Sequence, residues 1–138
     1  MADITFSGIL VVGKGEAASF VAEPWAKNAF KELVFFDPWP GTLNLQLTES
    51  KDIVAWESVQ ASVAMEMAAH DGSECAAKLF PAVVGLKQVG TIVLPKVADY
   101  PSDKVEIIAP VNLRDSLELK DGDLVEVTVF TSSDTPEA

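Results

Sequence analysis

Cysteine, histidine and arginine occur once each in this chain of 138 residues, as Cys75, His70 and Arg114. A lone cysteine closes no internal disulfide, which fits a reducing compartment. One histidine and one cysteine do not assemble a tetrahedral zinc site. His70 would be the sole imidazole for a Ser-His-Asp arrangement, and beside Asp71-Gly72 it reads as a solvent-exposed turn residue. Positive charge is scarce: 10 Lys and Arg stand against 21 Asp and Glu, a formal net charge of −11. A field of that sign repels nucleic acid and anionic membrane, so neither is expected as a partner. No apolar run approaches the ~18 residues of a membrane-spanning helix. Met1-Ala2-Asp3-Ile4 carries no basic stretch followed by an apolar block, so no secretory leader is expected and the setting is read as cytoplasmic.

What is present is an ordinary globular composition, 49% apolar and 22% charged, too apolar for a disordered chain. The length predicts one domain, residues 1–130, with 131–138 as a polar, frayed tail. Residues 5–12 (TFSGILVV) read as a strand that stops at Gly13-Lys14-Gly15-Glu16, and 18–22 as a second strand. Pro24 opens a helix to about residue 34, with Trp25, Ala29, Phe30 and Leu33 on one face. Pro38, Pro40 and Gly41 forbid its continuation. Residues 42–48 (TLNLQLT) alternate strictly. Within the ambiguous stretch 51–69, partial alternation over 59–67 predicts a strand. An Asp71-Gly72 turn then leads to a returning strand over 76–84. Further strands are read over 89–94, 105–109 and 124–130, with one helical turn over 113–117. About seven or eight short strands, with turn signals roughly every ten residues, favour a closed barrel or sandwich over a parallel α/β sheet.

Four groups of residues can carry chemistry. Gly13-Lys14-Gly15-Glu16 follows a strand, and glycines let backbone N–H groups form a nest around an anion. It is neither a Walker A loop nor a dinucleotide fingerprint, and a plain turn is the alternative. Thr42 and Asn44 stand two apart on an alternating strand, so both side chains leave one face. Their neutral oxygens suit Mg²⁺, which takes few protein oxygens and completes its shell with water and phosphate. The alternative is a polar outer face of an edge strand. Glu106 lies within an apolar strand and faces either a pocket, where it has a hydrogen-bonding role, or solvent. Arg114, in Asn112-Leu113-Arg114, is a planar bidentate donor suited to phosphate or base recognition. Its alternative is a surface ion pair with Asp115 or Glu118. Trp25, Trp39, Phe30, Phe35 and Phe36 read as core or pocket wall.

Taken in order, these pieces resemble the archaeal CTP-dependent riboflavin kinase family. The resemblance runs from Gly13-Lys14-Gly15-Glu16 through Gly41-Thr42-Leu43-Asn44-Leu45 and Glu106-Ile107-Ile108-Ala109-Pro110, then Asn112-Leu113-Arg114, to Leu119-Lys120-Asp121-Gly122-Asp123. It covers about residues 7–130, and 50–80 match poorly. It implies an all-β fold, a six-stranded cradle-loop (RIFT-related) β-barrel with one short helix and one helical turn. It implies transfer of the γ-phosphate of CTP to the riboflavin 5′-hydroxyl, giving FMN and CDP. Carried over by position, Gly13, Lys14, Gly15, Glu16, Ala17 and Ala18 would hold the nucleotide phosphates. Thr42 and Asn44 would ligate Mg²⁺. Glu106 would contact the flavin and is the candidate to take up the hydroxyl proton. Val111, Asn112, Leu113 and Arg114 would hold the cytidine nucleotide. Two positions depart from the family pattern. Ala17-Ala18-Ser19-Phe20 replace a third small glycine and an aromatic, and Ala98 stands where a flavin-contacting threonine is expected. Those departures leave open a second reading, a barrel that binds nucleotide or flavin without catalysis.

Overall fold

Alternation in Leu43-Asn44-Leu45-Gln46 makes a strand whose two leucines turn into a shared core and whose polar residues turn away from it. The computed structural model describes residues 2–11, 24–34, 36, 39, 42–62, 64–68, 75–96 and 100–131. The elements run β1 (Ala2–Val11), α1 (Pro24–Val34), β2 (Leu43–Gln46), α2 (Ser50–Ala61), β3 (Met65–Ala68) and β4 (Cys75–Val84). They continue with β5 (Gln88–Pro95), β6 (Lys104–Ile108), α3 (Leu113–Ser116) and β7 (Leu124–Thr131). Six strands pair antiparallel in a closed ring, β4–β5–β6–β2–β1–β7 and back to β4, and β3 adds a flange to β4. The expected six-stranded barrel, short helix and helical turn are all present. The second strand expected over 18–22 and the tail from 132 lie outside the described residues.

Closure depends on two long strands, β4, which exchanges one neighbour for another along an edge, and β1, which lies between β7 and β2. β4 pairs with β3 through Leu79 and with β7 from Ala82. Pro81 falls at that changeover, where a missing N–H is tolerated. β1 pairs with β7 over residues 2–9 and with β2 over 9–11. Gly8 lets β1 cross β2 closely, because a Cβ there would lie 2.9 Å from both the Leu45 Cβ and the Leu47 Cδ2. The interior is filled by Phe6, Leu10, Leu43, Leu45, Phe80, Ile92, Val105, Ile107, Val125, Val127 and Val129. A second apolar layer lies on the outer face, where Ala26 and Phe30 of α1 cover Met67, Leu79, Val93 and Ile108. α1 thus buries the face its spacing predicts.

The strand expected over 59–67 is corrected: α2 occupies residues 50–61 and β3 begins at Met65. Asp52, Trp56 and Val59 are its buried residues, a 3.6-residue stripe. Val54, 59% exposed on the opposite side, blurs that stripe in the sequence. The N-cap Glu49 makes no side-chain cap, so a start signal is also missing. α2 ends at Ser62, whose backbone and hydroxyl both donate to the Val59 carbonyl, at 3.0 and 2.6 Å. The helix packs on β1 where β2 does not reach, and Asp52 Oδ1 accepts the Ser7 N–H at 3.0 Å. Asp52 is 4% exposed, so its carboxylate replaces a missing strand partner. Asp52→Ala is expected to cost about 1–3 kcal/mol, the penalty for a buried donor left unsatisfied, read from urea unfolding. A loss below a few tenths of a kcal/mol would show that water satisfies Ser7 instead.

Candidate functional site

The site begins with one cross-strand pair. β2 and β6 align with Asn44 opposite Glu106. Leu43, Leu45, Val105 and Ile107 fill the barrel interior, so Asn44 and Glu106 leave together on the outer face. That face is not solvated there: Asn44 is 5% exposed and Glu106 0%. Thr42, just before β2, turns to the same side. Its hydroxyl donates to Glu106 Oε1 at 3.1 Å and lies 3.5 Å from Asn44 Oδ1. Asn44 Nδ2 donates to the Thr42 carbonyl at 3.4 Å. The other carboxylate oxygen, Glu106 Oε2, accepts the Tyr100 phenol at 2.6 Å. Thr42 and Asn44 therefore share a face as expected. Glu106 projects from the outside of the barrel yet is wholly buried and hydrogen-bonded, which excludes the solvated alternative.

A hydroxyl carries one proton and two lone pairs. With that proton given to Glu106, Thr42 Oγ1 has lone pairs to offer a ligand. Asn44 Oδ1 lies beside it. Two cis ligands of an octahedral Mg²⁺ with bonds of roughly 2.0–2.1 Å stand about 3 Å apart, so this pair of hard oxygens fits the ion after a small adjustment. Among the described residues no group of three or more His, Cys, Asp and Glu is gathered to cage a metal.

Thr42 also borders a cleft of about 190 Å³ lined by Trp39, Leu43, Ile107, Ala109, Val111, Asn112, Leu113 and Arg114. Four residues expected at the nucleotide therefore line the same cleft as one expected at the metal. Trp39 is half exposed, and its N–H is anchored to the Ala109 carbonyl at 2.7 Å. It is a pocket wall, as its composition suggested. Asn112 is the N-cap of α3, its Oδ1 accepting the Asp115 N–H at 3.2 Å. Leu113 is 5% exposed and belongs to the barrel core. Arg114 makes an ion pair, with Asp121 at 2.5 Å rather than with Asp115 or Glu118.

Asp121 belongs to the Leu119–Asp123 turn, which has a role the sequence did not disclose. Lys120 N–H is capped by Asp123 Oδ2 at 2.8 Å, and Gly122 takes φ +91°, a conformation glycine adopts at little cost. The turn then holds the end of β1: Gly122 N–H donates to the Leu10 carbonyl and Leu10 N–H to the Asp123 carbonyl, both at 2.8 Å. β1 ends at Val11, directly opposite Asn44. Gly13, Lys14, Gly15, Glu16, Ala17, Ala18 and Ala98 lie outside the described residues. Tyr100 was missed by sequence reasoning. It is the single tyrosine, in a loop without periodicity, six residues before Glu106.

No helix among the described residues is long and apolar enough to cross a membrane. A family model named for CTP-dependent riboflavin kinase, and described as a domain of unknown function, DUF120, matches residues 10–129. The chain is similar to a riboflavin kinase of Methanosarcina barkeri, 38% identical over 126 residues, 90% of this chain and 56% of that protein. It is 40% identical over 124 residues to a riboflavin kinase of Methanocella arvoryzae, 88% of this chain and 55% of that one. A riboflavin kinase of Saccharolobus solfataricus is 32% identical over 130 residues, 92% of this chain and 74% of that one. The chain thus spans about half the length of the first two relatives.

Proposed function

The chain belongs to the CTP-dependent riboflavin kinase family, and from that premise we propose that it is itself such a kinase, transferring the γ-phosphate of CTP to the riboflavin 5′-hydroxyl. A bond forms between the 5′-oxygen and the γ-phosphorus, and the bond from that phosphorus to the β–γ bridging oxygen breaks, leaving FMN and CDP. The observation that carries the reading is the meeting of Thr42, Asn44 and Glu106 beside a cleft walled by Val111, Asn112, Leu113 and Arg114.

Phosphoryl transfer asks a protein mainly for positioning and charge neutralisation. Here Thr42 Oγ1 and Asn44 Oδ1 would hold Mg²⁺, which would supply neutralisation of phosphate oxygens. Gly13, Lys14, Gly15, Glu16, Ala17 and Ala18 receive the phosphates through backbone amides. Val111, Asn112, Leu113 and Arg114 hold the cytidine. Glu106 and position 98 are assigned to the flavin from the family pattern, and Glu106 takes the proton released from the 5′-hydroxyl. Net charge −11, and an arginine already paired with Asp121, leave little side-chain charge for a triphosphate, so the cation has a large share of the neutralisation. The same charge supports small-molecule ligands and no nucleic-acid partner, and the single cysteine supports a cytoplasmic setting.

The test is incubation with riboflavin, CTP and Mg²⁺, followed by chromatographic detection of FMN. FMN formation that stops on chelation is expected. No turnover with CTP, ATP or GTP overturns the kinase reading. Thermal-shift scans separate the remaining readings, because a ligand that binds only the folded state raises its midpoint. Stabilisation by riboflavin or CTP in an inert protein would favour a non-catalytic binding module.

A further inference from the structure

We propose that Tyr100 is a positioning residue of this site: its phenol fixes the Glu106 carboxylate in the orientation that accepts the Thr42 proton and so turns the threonine's lone pairs toward the divalent cation. The inference rests on the kinase reading above. It starts from the two hydroxyls that approach one wholly buried carboxylate from separate segments, Tyr100 at Oε2 and Thr42 at Oε1.

The terminal torsion of a glutamate is broad and roughly two-fold. A carboxylate anchored through one oxygen can therefore swing, and a second anchor on the other oxygen holds its plane. The Tyr100 phenol donates to Oε2 at 2.6 Å, a short and well-fixed contact. The segment that carries Tyr100 is itself fastened to the end of β2. The Asp103 carbonyl accepts the Leu47 N–H at 2.8 Å and Gln46 Nε2 at 3.2 Å. Phenol, carboxylate and threonine thus form one chain with a fixed direction. Both hydroxyls donate inward, one to each carboxylate oxygen. Without the phenol, Oε2 loses this donor and the carboxylate is held less firmly toward Thr42, whose O–H then spends more time pointing at the cation and opposing it.

The experiment compares wild type with Tyr100→Phe, which removes one oxygen. CTP binding is titrated calorimetrically across a range of Mg²⁺ concentrations, and Mn²⁺ binding in the presence of CTP is followed by electron paramagnetic resonance. The Mg²⁺ concentration for half-maximal CTP binding is expected to rise about tenfold, in line with loss of a hydrogen bond to a charged group. CTP affinity at saturating Mg²⁺ should be nearly unchanged. A purely structural tyrosine would instead weaken CTP binding at every Mg²⁺ concentration, and that result overturns the proposal. Equal Mg²⁺ requirements in the two proteins overturn it as well, leaving the kinase reading intact. A wild type that binds no CTP with any divalent cation overturns both.

A second pair of variants tests the direction of the chain. In Glu106→Gln the amide has one acceptor oxygen, which Tyr100 claims, so the NH₂ faces Thr42 and reverses its hydroxyl. Adding Tyr100→Phe lets the amide flip. The double variant is therefore expected to bind Mn²⁺ several-fold more tightly than Glu106→Gln alone. Additive weakening would count against the proposal.

Discussion

For the kinase proposed above, Asn44→Ala is expected to lower kcat/KM about tenfold to a hundredfold, the loss seen when a metal site's supporting residues are removed, while the barrel unfolds at nearly the same urea concentration. The two effects separate because of where the side chain points. Leu43 and Leu45 on either side of it hold the interior, and Asn44 projects from the opposite face. Truncation at Cβ leaves the β2 backbone ladder to β1 and β6 untouched. Its bond to the Thr42 carbonyl is long, at 3.4 Å, so a stability loss of about 1 kcal/mol or less is expected. Thr42→Val is a less clean probe, since it also strips Glu106 Oε1 of the hydroxyl it accepts. Steady-state kinetics and urea unfolding on the same preparation check the prediction. An unchanged rate would remove Asn44 from the site, and a large drop in stability would mean its role is structural.

Part of this site can be read from residue spacing and part cannot. Side-chain alternation is a property of a single strand, so the shared face of Thr42 and Asn44 is visible in residues 42–48 alone. The pairing of Asn44 with Glu106 joins strands 62 residues apart (106 − 44), and register across such a gap is set by barrel closure. That is why Glu106 left two readings open in the sequence, of which its burial and hydrogen bonds exclude the solvated one. Tyr100 gives no signal of its own, because a loop phenol acquires meaning only from the carboxylate it meets. The Asp121-Gly122 pair announces a turn, and Gly122 fulfils it, but the docking of that turn on Leu10 is a tertiary fact. α2 was misread for a different reason. Its buried stripe has one charged member, Asp52, which a hydrophobic pattern cannot count, and an exposed valine that it counts wrongly.

Trp56→Ala should produce the largest stability change, about 3–5 kcal/mol for truncating a buried tryptophan. Trp56 is 1% exposed and enters the barrel core from α2. Its ring lies 5.8 Å from that of Phe6 on β1 and 5.9 Å from that of Phe80 on β4, the latter edge-on. Such aromatic pairs add about 0.5–1.5 kcal/mol beyond the area they bury. Trp56 therefore joins two strands that are not hydrogen-bonded neighbours in the ring. It does so next to the stretch of β1 that lacks β2 as a partner. Alanine would leave a cavity among side chains fixed by strand pairing, so the surroundings cannot collapse to fill it. The midpoint in urea should fall with its slope unchanged, the mark of lost stability without a change in compactness. Trp56→Phe should recover most of the loss, because one ring remains between Phe6 and Phe80. A loss below about 1 kcal/mol for the alanine variant would show that α2 lies against the barrel without closing it, and the gap beside β1 would then need another seal.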